Sequence, residues 1–182
     1  SAPDIEGSMA PRKTVKSVEF YARPMNSIGY LTRITFRAFS RHLERRTLPH
    51  GVSSGQWPFL RALWNEEGLT QRELSRRVAM REPTTVTALN VLEKSGLVKR
   101  VPSTEDNRKI HIFLTPKGRR LRDKLLPFVA EVNEIAASGL SEKEIETLRR
   151  VLLKMSGNLA REEAAWLKAS GGASLPIGAI NP

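Results

Sequence analysis

Between residues 69 and 116 the apolar positions change period, and the changes mark out two short helices followed by two short strands. Thr70-Gln71-Arg72-Glu73 is a capping box in which Thr70 caps the Glu73 amide and Glu73 reaches back, so a helix starts there and runs through Leu74 and Val78. A second helix starts near Pro83, whose missing N–H suits a first helical turn, and stops at Gly96 after Lys94-Ser95. At about 100° per residue, Thr85, Ala88, Leu89 and Leu92 share one side of it. Pro83, Thr87 and Asn90 fall opposite, flanked by Thr84 and Val86. The apolar side packs, and the other side is free to read a partner. From Leu97 to Thr115 the period drops to two: Ile110, Ile112 and Leu114 point inward and His111 and Phe113 outward. Val98 and Val101 lie on the preceding strand, which ends at Pro102-Ser103-Thr104, and the polar tip between the strands carries Arg108. Helix, turn, helix and a basic hairpin, in that order, make a winged helix-turn-helix.

The flanking segments are helical and carry more apolar surface than a small winged domain can cover. Ser141 and Glu144 form another capping box, after which Ile145, Leu148, Leu152, Met155 and Leu159 recur at the spacing of a heptad seam. A helix from about Pro116 carries Leu121, Leu125, Leu126, Val129 and Val132, with Pro127 expected to bend it. Upstream, Ile28, Leu31, Ile34, Phe36, Phe39 and Leu43 form a third, ending before Pro49-His50-Gly51. The surplus implies a dimer, with Ile28, Leu31 and the heptad seam at its interface. Two-fold symmetry also suits a palindromic duplex. The fold class expected is all-α with a small β-wing, that is α+β: a winged helix-turn-helix over 53–115 between dimerisation helices at 24–50 and 116–166. The eight residues before Met9 read as a leader, 9–23 as a flexible segment, and 167–182 as a flexible tail.

Charge sharpens this picture. The net charge is +11 over 182 residues, and residues 70–122 hold 13 Lys/Arg against 5 Asp/Glu. A basic focus on the helix-turn-helix and wing raises encounter rates with a polyanion and supplies sequence-independent affinity through counterion release. Arg72, Arg76, Arg77, Lys94, Lys99 and Lys109 are the expected phosphate contacts. The absence of cysteine excludes disulfides and thiolate metal sites. His42, His50 and His111 lack metal-ligand spacing, and there is no Gly-rich phosphate loop, nucleophile elbow or paired-carboxylate constellation. Neither catalysis nor a cofactor or metal is expected. No apolar run approaches the ~20 residues that span a bilayer, so the expectation is a cytoplasmic protein without a membrane partner.

The chain resembles the MarR family of bacterial transcriptional regulators. The resemblance rests on Ser54-Gly55-Gln56-Trp57-Pro58-Phe59-Leu60-Arg61-Ala62-Leu63, on the helix pair LTQRELSRRVAMREPTTVTALNVLEKSGLVKR, and on Asp106-x-Arg108 leading to Leu114-Thr115-Pro116-x-Gly118; it covers about residues 24–163. It implies a homodimer with interlocked terminal helices, Arg108 in a minor groove, Asp106 bracing the wing through a nearby arginine, and Thr84 to Thr87 at base edges in the major groove. It also implies a cleft for small aromatic anions, walled here by Phe36, Phe39, Ser40, Leu43, Trp57, Leu60 and Arg61, with Arg41, Arg45 and Arg46 available to a larger anion such as an aryl-CoA thioester. The expected function is a ligand-released repressor on a palindromic operator. An activator or dual regulator, a sequence-tolerant architectural DNA protein, and a winged helix used for protein contacts are the alternatives.

One departure stands out. The family often has arginine where this chain has Thr87, and an Asp and a basic residue where it has Asn90 and Val91. No basic side chain lies between Arg81 and Lys94, so the bidentate arginine–guanine contact from mid-helix is missing. Thymine-methyl contacts from Pro83, Val86 and Thr87, with amide and hydroxyl bonds to base edges, take its place.

Overall fold

The computed structural model describes residues 16–106 and 108–171. The expected leader and residues 9–15 and 172–182 lie outside them. The chain divides into two units, up to Ala38 and from Phe39 onward.

In the first unit, α1 (Val18–Ala22) falls where sequence reading expects an irregular segment. Ser17 Oγ accepts the Phe20 N–H at 3.1 Å, and this cap supplies the start signal for the turn. A 3-10 turn at Pro24–Asn26 leads into α2 (Ile28–Thr47). Ile28 and Leu31 are both exposed.

The second unit holds the end of α2, then α3 (Trp57–Asn65), β1 (Leu69–Thr70), α4 (Gln71–Arg77), α5 (Glu82–Lys94), β2 (Val98–Pro102), β3 (Ile110–Leu114), α6 (Pro116–Ala137) and α7 (Glu142–Ala169). The strands form an antiparallel sheet in the order β1-β3-β2. Both expected capping boxes are present, at Thr70/Glu73 and Ser141/Glu144. α5 begins without a side-chain cap; Pro83 in its first turn sets the helical φ instead.

The core lies where α3, α4 and α5 meet the sheet and α6. Phe59, Leu60, Leu63, Leu74, Leu89, Leu92, Ile112, Leu114 and Leu125 are essentially without exposed surface. Each such side chain stabilises the fold by roughly 1.5–3 kcal/mol relative to exposure. Thr85, Ala88, Leu89 and Leu92 form the buried side of α5, as its periodicity requires. Ile112 and Leu114 face inward too, but Ile110 is 42% exposed. It pairs with Pro102 at the outer end of the hairpin, beyond the reach of the helices.

β1 is absent from the sequence reading because it has no periodicity of its own. It exists through its partner, with Leu69 opposite Ile112 and Thr70 opposite His111. The Gly68 N–H donates to Ile112 O at 2.8 Å, and His111 Nδ1 lies 2.7 Å from Gly68 O.

The passage from wing to α6 is the tightest point of the unit. Thr115 Oγ1 donates to Gly96 O at 2.6 Å and accepts the Gly118 N–H at 3.1 Å, capping α6. The Thr115 N–H donates to Leu97 O at 3.0 Å. A Cβ on Gly118 would lie 2.1 Å from that same carbonyl oxygen. Trp64 Nε1 donates to Gly118 O at 3.0 Å, and Arg119 grips the Glu67 carboxylate through Nε and Nη2 at 2.7 and 2.6 Å. The Arg119 guanidinium holds the Glu67 carboxyl below its ordinary pKa.

α6 continues through Pro127 to Ala137 and buries Leu125 and Val132. α7 has no buried residue along its 28 positions, and it runs past the expected helix end at 166. Among the described residues no helix is long and apolar enough to cross a membrane.

Gly118→Ala is expected to cost at least ~2 kcal/mol, because backbone must move to admit the methyl group. Gly96→Ala, at φ 71° with nothing within 4 Å of the added carbon, is expected to cost only about 1–2 kcal/mol of left-handed strain. Urea denaturation of the two variants measures the difference; equal losses would mean that the Leu97 contact relaxes freely.

Candidate nucleic-acid interface

α4, the following turn and α5 form the helix-turn-helix. Ala79 in the turn has φ 57°, a conformation costly for any residue but glycine. A buried bond offsets this: Ser75 Oγ donates to Thr85 Oγ1 at 2.7 Å, tying the two helices across the turn. Ser75 has no signal in the sequence beyond its helical phase. At the start of α4 the Thr70 N–H, and after it the Thr70 hydroxyl, hold the Glu73 carboxyl below its ordinary value. The cap therefore contributes stability above the unfolded-state pKa of Glu73 and loses it as pH falls through the folded value.

The face of α5 opposite its buried side is open. Pro83, Thr84, Thr87 and Asn90 are exposed, and Val86 is half-buried. Thr87 Oγ1 donates to Pro83 O at 3.1 Å, leaving its methyl and oxygen lone pairs to a partner. A helix is about 10–12 Å across and a major groove about 12 Å wide, so this surface fits. Asn90, also expected at base edges, has its Oδ1 accepting from Arg100 Nη2 at 2.8 Å. Arg100 also pairs with Glu93. Nothing local marked this arginine, because its contacts cross from β2 to α5.

The wing tip is built by side-chain bonds to backbone. Ser103 Oγ accepts the N–H groups of Glu105 and Asp106, Ser103 N–H donates to Lys109 O at 2.8 Å, and Lys109 N–H donates to Asp106 O at 2.8 Å. Asp106 Oδ1 accepts the Arg108 N–H at 3.1 Å and lies 3.6 Å from its Nε. The arginine that Asp106 meets among the described residues is thus Arg108 itself. The Arg108 side chain is 95% exposed, and so loose a surface pair holds it weakly.

Of the expected phosphate contacts, Arg76, Lys94, Lys99 and Lys109 are exposed with no carboxylate partner among the described residues. Arg72 lies 4.0 Å from Glu82. Arg77 is tethered to Glu66 at 2.7 Å and is not free. Arg81, at the cap of α5, is exposed without a carboxylate partner among the described residues and joins the basic set.

The residues expected to wall a ligand cleft divide between the two units. Leu60 is fully buried in the core and presents no wall to a ligand. Trp57 is 8% exposed and stands edge-on to Trp64, with centroids 5.5 Å apart. Phe39, Ser40 and Leu43 are half-buried and Arg61 is exposed. Phe36 belongs to the other unit and is 67% exposed. Among the described residues no group of His, Asp or Glu is placed to hold a metal.

An exposed helix face beside a cationic hairpin, on a helix-turn-helix, defines a winged-helix DNA-binding module. Residues 50–109 match the MarR family model. The regulator TtmR of Methylorubrum extorquens is 34% identical over 119 residues, 64% of this chain; the match spans only 61% of TtmR. A MarR transcriptional regulator from Methanosarcina mazei superposes with a TM-score of 0.71 at 29% identity, covering 74% of this chain and 96% of that one. MepR of S. aureus, solved as a complex with DNA, superposes at 0.67 with 25% identity over 72% of this chain and 98% of its own. TtmR and the Methanosarcina mazei protein are both transcriptional regulators.

Arg108→Ala is expected to weaken binding to a specific duplex by about 1–3 kcal/mol while leaving the melting temperature unchanged, since the side chain fills no core. A gel-shift titration with unchanged affinity would remove the wing from the interface.

Proposed function

We propose that the protein is a homodimeric, sequence-specific transcriptional repressor that binds a palindromic operator and is released by a small aromatic anion. The observation that carries the DNA reading is the open Pro83-Thr84-Thr87 face of α5 together with the exposed Arg108 of the wing, on elements that also carry cations without a carboxylate partner among the described residues. MepR, a structural neighbour, was solved bound to DNA, which supports the same use of this fold. Pro83, Thr84, Val86 and Thr87 approach base edges, Arg108 enters the minor groove, and Arg76, Arg81, Lys94, Lys99 and Lys109 meet phosphates.

Dimerisation follows from α7. Leu148, Leu152 and Leu159 are 51, 42 and 71% exposed, Leu153 is 59% exposed, and no position of the helix is buried. An apolar seam of this length is not left in water. A second copy covers it and places two reading helices at one-turn spacing on a palindrome.

Effector release is supported by Arg61, an exposed cation one helical turn from Trp57 with no carboxylate partner among the described residues. An aromatic carboxylate held there shifts lobe spacing, and it lowers operator affinity only by the ratio of its own affinities for the two arrangements.

Footprinting on DNA flanking the protein's own gene is expected to show a protected palindrome, with affinity falling steeply as salt rises. Equal affinity for random duplex would make the protein architectural; no salt-dependent binding would leave a protein-contact module. Leu152→Glu is expected to give monomers or aggregate, because a charge in a dry seam is costly; an intact dimer in sedimentation would place the seam elsewhere. Aromatic carboxylates and aryl-CoA thioesters are to be screened for displacement of operator DNA. An active compound is expected to quench or shift Trp57 fluorescence and to act less well on Arg61→Ala; equal action on both proteins would exclude Arg61.

A further inference from the structure

Register places Arg100 directly opposite Ile112, on the sheet face that covers α5. Its side chain is 20% exposed, and its two terminal nitrogens are divided between α5 residues one turn apart, Glu93 and Asn90. A guanidinium only donates hydrogen bonds, so the oxygen of the Asn90 amide must be the atom that faces it, and the amide orientation is fixed by chemistry. The Nδ2 group, with its two N–H donors, is left for whatever lies beyond the exposed face of α5. Asparagine reads adenine by accepting from N6–H₂ through Oδ1 while donating to N7. Here Oδ1 is already engaged by a cation that Glu93 holds in place, and a base amino group would bring more donors into the same space. Guanine offers two acceptors, O6 and N7, and no donor on its major-groove edge.

We propose that Arg100 is a specificity-determining positioning residue: by holding Oδ1 of Asn90 it turns that side chain into a donor, which selects guanine over adenine at one position of each half-site. This rests on the assignment of α5 to the major groove. Arg100 also neutralises Glu93, which would otherwise present a bare carboxylate beside the reading face. The sequence carries no arginine or lysine in mid-helix for guanine; the Arg100–Asn90 pair delivers guanine preference by a different route.

Duplexes selected from a randomised pool by the full-length protein, then sequenced, read base preference position by position. The wild type is expected to favour guanine over adenine by about tenfold at one position per half-site, and Asn90→Ala to lose that preference. Arg100→Met frees Oδ1, so adenine is expected to equal or exceed guanine at that position while preferences elsewhere change less than about twofold. Should Arg100→Met fail to melt cooperatively, Arg100→Lys replaces it: a single ammonium does not span both partners, and the same shift toward adenine is expected. An unchanged preference in the arginine variant, or a uniform loss at all positions, would overturn the proposal. So would an unchanged profile for Asn90→Ala, which would place that amide on a phosphate. A wild-type pool with no enriched sequence is a different result, since it refutes the DNA-reading assignment itself.

Discussion

The close approach of Gly118 to the carbonyl oxygen of Leu97 joins nearly every element of the winged unit at one point. Leu97 lies between the end of α5 and the start of β2, while Gly118 lies in the first turn of α6 just after β3. The same Leu97 oxygen accepts the Thr115 N–H at 3.0 Å, and the Gly118 carbonyl accepts from Trp64 on α3. A side chain at 118 has no room, since its first carbon would sit 2.1 Å from the oxygen. The wing therefore leaves the core in one direction only, and the reading helix keeps one relation to it. The Glu67–Arg119 fork beside this joint links the loop before β1 to α6.

Function follows from what this joint leaves outside the core. α5 buries Thr85, Ala88, Leu89 and Leu92 and turns its opposite side outward. Across the sheet, Arg100 ties Asn90 and Glu93 to β2, so wing and reading helix share an electrostatic link as well as a packed one. Arg76, Arg81, Lys94, Lys99 and Lys109, carried by the helix-turn-helix and the wing, have no carboxylate partner among the described residues. Their neighbours Arg72 and Arg77 are drawn toward Glu82 and Glu66 and contribute less field.

Much of this architecture was legible in the order of residues. Capping boxes at Thr70 and Ser141, the stop at Gly96, the buried side of α5 and the heptad spacing of α7 are local patterns, set by interactions within a turn or two of helix. Local patterns survive folding when tertiary packing agrees with them, as it does here. The tip carrying Arg108 was legible for a related reason, since Ser103 and Asp106 close it by bonds to neighbouring backbone.

Where partners are distant in the chain, only the tertiary structure decided the outcome. β1 has two residues and exists because Ile112 and His111 offer it an edge. Ile110 keeps the inward phase of its strand yet stays exposed, because phase says which face a residue occupies and not whether a helix covers that face. Asn90 reads as a free amide until Arg100 is brought opposite Ile112 and its guanidinium takes the oxygen. Leu60, a cleft wall by the family resemblance, is enclosed by the core. By itself the sequence determined the capped helices α4 and α7, the buried side of α5 and the charged hairpin, because these rest on spacing and on bonds within short segments. Which polar atoms remain free to meet a partner was decided by the fold, because a hydrogen bond or salt bridge between remote residues forms only after the sheet and helices have set their distance.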